Sequence, residues 1–249
     1  FFKQKTAYEI YQCDWSSDVC SSDLNIDEFL RRVVVEVPDA DVFVVDDNSP
    51  DGTGARVDEH SRSNPQIRLI SRQGQRGYAA ASREGLTTIA AQGYDVIVTL
   101  DCDLSHDPAV IPLMLQRVAA GDDVVIGSRY VVGGGVRNWS LFRRLLSRWG
   151  NWYTAAMLGL PLRDCTSGFR AYRAAVIQRV DVAATRSDGY AFLTESLMRL
   201  HQLDGVRMTE VPILYIERTA GESKMNKTII SESMRRVTAW GLQRRFHQG

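Results

Sequence analysis

Two carboxylates one residue apart, Asp101 and Asp103, close the β-branched and apolar run Val96-Ile97-Val98-Thr99-Leu100. The run predicts a buried strand, and an extended backbone turns alternate side chains the same way, so both acids leave the strand end in one direction. Hard oxygen ligands on so short a tether suit Mg2+ or Mn2+, which commonly bind through one or two carboxylates plus substrate phosphates. The same residues would also serve as a plain polar turn. A second acidic pair, Asp46 and Asp47, ends the run Val42-Phe43-Val44-Val45 and leads into Asn48-Ser49-Pro50-Asp51-Gly52-Thr53. There Ser49 or Asp51 can cap a helix without preventing the pair from binding a ligand.

The elements that position these acids alternate. Helices are expected at residues 25–32, 53–63, 77–92 and 108–119, and strands at 41–47, 67–71, 96–100 and 123–127. Such alternation predicts right-handed βαβ units and a mostly parallel sheet with helices on both faces. Ligands of such sheets bind beyond the carboxyl ends of the strands, which is where both acid pairs fall. The second half differs. A long amphipathic helix over 140–158 carries Trp149 and Trp152, follows Trp139, and interleaves Arg143, Arg144 and Arg148 with leucine and phenylalanine. A strand at 167–172, a helix at 190–203, a strand at 206–217 and a final helix from about 228 follow. Pro212 inside the last strand suggests a sheet edge. With no repeat and no linker, one α/β domain over 25–226 and a C-terminal amphipathic helix over 227–249 are expected.

Bulk composition narrows the function classes. The chain of 249 residues is 44% hydrophobic with a formal net charge of zero, so charge offers no case for a nucleic-acid partner. No apolar run is long enough to span a bilayer. Cys13, Cys20, Cys102 and Cys165 show neither metal-ligand nor disulfide-scaffold spacing, which points to a reduced, cytoplasmic setting. Composition breaks at Asn25: every arginine lies after it, where the only lysines are Lys224 and Lys227, whereas residues 1–24 hold half the cysteines and no glycine or proline. That leading segment lacks the apolar core of a signal peptide. It resembles translated sequencing-adaptor read-through, and is expected to be non-native.

VVDDNSPDGT (44–53), LDCDLSHDP (100–108), GSRY (127–130), SGFRAYR (167–173), EVPILYIER (210–218) and GESKMN (221–226) occur in an order that resembles a known family. It is similar to the family 2 inverting glycosyltransferases with a GT-A fold, specifically the polyprenol (dolichol) phosphate mannose synthases, across residues 25–226. The resemblance implies transfer of mannose from GDP-mannose to a polyprenyl (dolichyl) monophosphate. It implies a divalent metal held by Asp101 and Asp103, with a further contact from Ser105, and nucleotide contacts from Asp46, Asp47 and Ser49. It nominates Arg129, Arg143, Ser147 and Arg218 for the acceptor phosphate, and Ser223 and Lys224 for a loop that closes over the donor. Asp103, Arg129 and Glu195 would be catalytic, Glu195 as an acid near the reaction centre. The protein would work peripherally at the cytoplasmic face of a membrane, held there by its arginine-rich and Trp-bearing helices or by an anchoring partner.

Departures accompany the match. Gln75 stands where the family usually has lysine, and Leu193 where it has glutamine. The opening strand of the family, which wraps the nucleotide, is absent from its place, so a missing central strand and poor folding are expected. Three other readings compete. One is a related polyprenyl-phosphate transferase of another sugar such as glucose. Another is a non-catalytic nucleotide-binding module. The last is a haloacid-dehalogenase-type phosphatase, since Asp101-x-Asp103-x-Ser105 also fits an aspartyl nucleophile, although that motif normally opens its fold.

Overall fold

The computed structural model describes residues 6–11, 22–74, 77–189, 191–217 and 227–247. The first half winds as β1 (Thr6–Tyr11), α1 (Ser22–Glu36), β2 (Asp41–Asp46), α2 (Thr53–Ser63), β3 (Ile67–Ser71), α3 (Tyr78–Ala90), β4 (Val96–Asp101), a 3-10 turn at Pro108–Val110, α4 (Ile111–Ala119) and β5 (Val124–Ser128). The second half holds β6 (Gly135–Arg137), α5 (Leu141–Leu158), β7 (Arg170–Arg173), α6 (Ala174–Val180), α7 (Ala191–His201), β8 (Met208–Pro212), β9 (Leu214–Ile216) and α8 (Lys227–His247). Seven strands form the main sheet in the order β3-β2-β1-β4-β7-β5-β8, and β6 pairs with β9 beside it. All main-sheet pairs are parallel except those made by β7, which runs antiparallel to both β4 and β5. β8, with Pro212 at its end, is an edge strand.

The expectation of a missing first strand is corrected. β1 occupies the centre of the sheet, parallel to β2 from Ala7–Asp41 to Ile10–Val44 and to β4 from Thr6–Val96 to Tyr11–Asp101. Its sequence, Thr-Ala-Tyr-Glu-Ile-Tyr, is rich in the aromatic and β-branched types that suit a pleated ladder. A central strand must above all supply backbone donors and acceptors to two neighbours, which any residue except proline can do. Helix α1 likewise begins at Ser22, inside the leading segment.

Alternation along the strands divides the core between two faces. Val42, Val44, Val96, Val98 and Leu100 pack with Phe29, Val33, Val57, Ile111 and Met114 from α1, α2 and α4. Phe43 and Ile97 turn the other way, toward Leu86, Ile89, Ile177, Phe192 and Leu197 from α3, α6 and α7. With both faces covered, β4 and β5 read as near-continuous hydrophobic runs. Helices α5 and α8 pack on each other closely enough that a Cβ on Gly241 would lie 2.6 Å from Met157 Cε and 2.9 Å from the Met157 carbonyl oxygen. A hydrogen bond of 2.8 Å between the Tyr153 and Thr238 hydroxyls joins the same pair of helices.

Candidate active site

The acid pairs end β2 and β4 on either side of β1, so they sit about 10 Å apart along one sheet edge. Asp46 accepts the Ser49 backbone N–H with each oxygen, at 3.2 Å. Its Oδ2 lies 2.9 Å from where a Cβ on Gly54 would stand, so Gly54 permits the start of α2 to approach the pair. The N-cap of that helix is Gly52, and Asp51 just before it accepts from the Thr53 N–H at 3.0 Å and the Thr53 hydroxyl at 2.8 Å. Asp47 is 1% exposed and bonds to the Arg72 guanidinium and, at 2.7 Å, to the Gly77 N–H at the head of α3. Arg72 in turn donates to Glu84 at 2.8 Å, which ties β3 to α3.

Helix α3 also connects the two pairs. A Cβ on Gly168 would meet the Tyr78 hydroxyl at 2.9 Å and the Asp101 oxygens at 3.8 and 3.9 Å, so glycine there leaves Asp101 room beside the first residue of α3. Asp103 is buried and accepts the Ser105 N–H at 2.9 Å. Between them Leu104 takes φ +61°, a left-handed conformation that a bulky residue adopts only when its surroundings over-determine it. The tether is visible: the Ser105 carbonyl accepts the Ile216 N–H at 3.2 Å, pinning this turn to β9. Ser105 Oγ is buried without a hydrogen-bond partner among the described residues. His106, also buried, places Nδ1 3.8 Å from Asp101 Oδ2 and packs its ring between Phe169 and Tyr215, at 5.4 and 5.5 Å.

Tyr215 leads from the acids to the arginines. It lies 5.6 Å from Trp139, and the Arg129 guanidinium stands over Tyr130, Trp139 and Tyr215 at 5.3, 5.7 and 5.8 Å. Arg129 is not a lone cation. Its Nε and Nη2 each donate to Asp164 at 2.7 Å, its backbone N–H donates at 3.1 Å, and Nη2 also reaches Thr166 Oγ1 at 2.7 Å. Burial opposes charge on both groups, but mutual attraction and these hydrogen bonds win: Asp164 is held below the usual carboxylate range and Arg129 is raised. The guanidinium nominated for the acceptor phosphate is thus held in place by Asp164 within an aromatic cluster. Arg143, on the first turn of α5, stands 4.2 Å from the Trp139 ring centroid and pairs with Glu217. Ser147, one turn on, accepts from the Tyr130 hydroxyl at 2.6 Å.

Glu195 lies on α7. It is buried there and accepts the backbone N–H groups of Arg186 and Ser187 at 3.1 and 2.8 Å and Arg199 Nε at 3.0 Å. Burial would raise its carboxyl, yet these donors outweigh it and lower the group. These contacts make Glu195 an anchor for the loop before α7. Arg218, Ser223, Lys224 and Gln75 lie outside the described residues. Sequence reasoning missed Arg72, His106, Asp164 and Tyr215. Three of these sit in or beside matched segments (LDCDLSHDP, SGFRAYR, EVPILYIER), which was the available signal.

A mostly parallel, doubly covered sheet with paired carboxylates beyond its central strands is the GT-A type of glycosyltransferase architecture. Solved structures agree: glucosyl-3-phosphoglycerate synthase from Mycobacterium tuberculosis, in complex with Mn2+, UDP-glucose and phosphoglyceric acid, superimposes with a TM-score of 0.63 over 97% of this chain and 79% of that one, at 17% identity. Residues 22–181 match glycosyl transferase family 2, and the chain belongs to that family. It is 42% identical over 217 residues to an undecaprenyl-phosphate mannosyltransferase of Micrococcus luteus, covering 87% of this chain and 88% of that protein. It is 40% identical over 223 residues to a polyprenol monophosphomannose synthase of Mycolicibacterium smegmatis, covering 89% and 84%. A dolichol-phosphate mannosyltransferase of Pyrococcus furiosus is 33% identical over 86% of this chain and 59% of its own length.

Proposed function

We propose that this protein is an inverting mannosyltransferase that moves mannose from GDP-mannose to a polyprenyl (dolichyl) monophosphate with the help of Mg2+ or Mn2+. The observation that carries the reading is one continuous path of contacts. It runs from Asp101 through His106 and Tyr215 to Trp139 and its two arginines, joining an acid edge suited to a metal diphosphate to a cationic wall suited to a phosphate. Relatives at 40–42% identity are named an undecaprenyl-phosphate mannosyltransferase and a polyprenol monophosphomannose synthase, which supports the mannosyl and polyprenyl-phosphate parts of the reading.

The donor set fits a hard divalent ion. Asp101 and Asp103 supply carboxylate oxygens, and Ser105 Oγ is a buried polar atom still without a partner among the described residues. Among the described residues no cluster of three or more His, Cys, Asp or Glu forms a closed cage. Few protein ligands leave the remaining positions to substrate phosphates, as Mg2+ prefers. When bound, the ion would act as a Lewis acid that neutralises charge on the departing diphosphate. Asp46, Asp47 and Ser49 hold the nucleoside end across β1. The acceptor phosphate is an anion near neutral pH, so its oxygen attacks the anomeric carbon without a strong general base. The new C–O bond forms on the face opposite the leaving group, and GDP departs with the electron pair. Arg143, Ser147 and Arg218 place the acceptor phosphate, and Ser223 and Lys224 contact the donor, the last three residues lying outside the described ones. Arg129 and Asp164 support that wall, and Glu195 holds the loop before α7.

No helix among the described residues is long and apolar enough to cross a membrane. Helix α5 nevertheless exposes Leu141, Phe142, Leu145, Trp149 and Trp152 beside Arg144 and Arg148, and contains no acidic residue. That face suits the anionic, cytoplasmic surface of a bilayer, where the lipid acceptor resides. The test is transfer of labelled mannose from GDP-mannose to undecaprenyl phosphate in detergent, with Mg2+, Mn2+ or EDTA, and with UDP-glucose as the alternative donor. Lipid-linked mannose should form only with the cation. Asp103→Asn should lower kcat/KM by about 10²–10³-fold, the scale of losing one electrostatic contact to developing charge. Full activity in EDTA, or transfer from UDP-glucose alone, would overturn the assignment.

A further inference from the structure

The two arginines at the aromatic wall have carboxylate partners of opposite character. Asp164, which holds Arg129, has a side chain with 0% exposure. Glu217, which accepts from Arg143 Nη1, is 29% exposed, and Arg143 itself is 30% exposed. The first pair is buried, whereas the second is only partly so. It is also placed at a junction: Arg143 is on the first turn of α5, and Glu217 directly follows β9, whose Ile216 pins the turn after Asp103. A carboxylate of the chain itself therefore holds the guanidinium that the acceptor phosphate must reach.

We propose that Glu217 is a positioning residue that competes with the acceptor phosphate for Arg143 and so sets the acceptor KM; this rests on the reading of Arg143 as an acceptor contact. A guanidinium edge binds carboxylate and phosphate in the same forked geometry, so the two anions exchange at one place. A phosphomonoester carries about 1.5–2 negative charges at neutral pH and displaces the carboxylate. A phosphodiester lipid headgroup carries only one negative charge on its phosphate and gains less from the exchange. The carboxylate thus raises the threshold for every anion by the same factor, set by the fraction of Arg143 it holds, so that only a strongly paired phosphate reaches the guanidinium. Glu217 acts through Arg143 and touches no reacting atom.

The experiment uses the full chain with GDP-mannose and undecaprenyl phosphate in neutral detergent, with added phosphatidylglycerol as the phosphodiester competitor. Glu217→Gln should lower the acceptor KM about 2–5-fold, the range of a partly exposed ion pair. It should also strengthen inhibition by phosphatidylglycerol, while the KM for GDP-mannose stays put. Glu217→Asp keeps the charge and should keep the acceptor KM nearer the wild-type value than Glu217→Gln does. In an Arg143→Gln background the Glu217→Gln effect should vanish. An acceptor KM that rises or does not change in Glu217→Gln, while Arg143→Gln still raises it, overturns the competition and leaves the acceptor site standing. If Arg143→Gln itself leaves the acceptor KM unchanged, the acceptor reading of Arg143 falls and takes this proposal with it.

Discussion

Replacing Asp164 with asparagine keeps the shape of the side chain and deletes one charge from a pair whose side chains are 9% and 0% exposed. Arg129 would then be a buried cation facing an amide. Removing one partner of a buried ion pair costs about 3–5 kcal/mol, because the other charge is left uncompensated. The Asn oxygen still accepts one of the two guanidinium bonds, so the low end, about 3 kcal/mol, applies. Domains of this size shift their midpoint by about 2–4 °C per kcal/mol, giving a Tm lower by about 6–12 °C. Thermal unfolding followed by far-UV circular dichroism at neutral pH measures it. The pH dependence has a definite sign. Asp164 is held below its ordinary value of 3.8, so its contribution is fully present above that value and is lost as pH falls through the depressed native value. The gap between wild type and Asp164→Asn should therefore be flat from pH 8 to about 5 and close only in stronger acid. The double substitution Arg129→Met with Asp164→Leu should be less damaging than Asp164→Asn, since no charge is orphaned. A Tm for Asp164→Asn within about 2 °C of wild type, or a gap that widens on acidification, would refute the reasoning.

Two further predictions concern other levels of the structure. Tyr8→Pro removes a backbone donor from the central strand opposite Val42 and Val98, and should leave the chain insoluble, whereas a soluble variant with native circular dichroism would show that β1 is dispensable. Trp149→Ser with Trp152→Ser removes two rings, 50% and 65% exposed on α5, and should reduce co-flotation with phosphatidylglycerol-containing vesicles several-fold without changing Tm; unchanged flotation would move membrane attachment to another surface or to an anchoring partner.

Elements with long, one-sided patterns were legible from residue types alone. The helix expected at 53–63 and the strand expected at 67–71 coincide with α2 and β3, because apolar spacing and turn residues agree there. The strand ending in Asp101 was equally plain, since a sheet covered on both faces writes itself as an unbroken run. Short pieces were not legible: β6 spans three residues and α6 seven, too few for a period to show. β7, expected as a strand, concealed its antiparallel direction, because direction depends on where the chain returns and leaves no mark on residue type. β1 was missed for a related reason: its composition differs from the rest of the chain, but its place is set by ladder hydrogen bonds rather than by side-chain pattern.

The same division runs through the site. Residue type and spacing determined that Asp46, Asp47, Asp101 and Asp103 end two strands and face a common edge, because strand period and sheet topology are local rules. They also determined the family, through motifs in a fixed order. Only the tertiary structure decided what each charge does. Arg129 meets Asp164 from 35 residues away in a buried pair, Arg143 meets Glu217 from 74 residues away in a part-buried one, and Glu195 turns to backbone N–H groups of the loop before α7. The chemistry of a charged side chain is set by its nearest opposite charge and its access to water, and both are fixed by chain segments far apart in sequence.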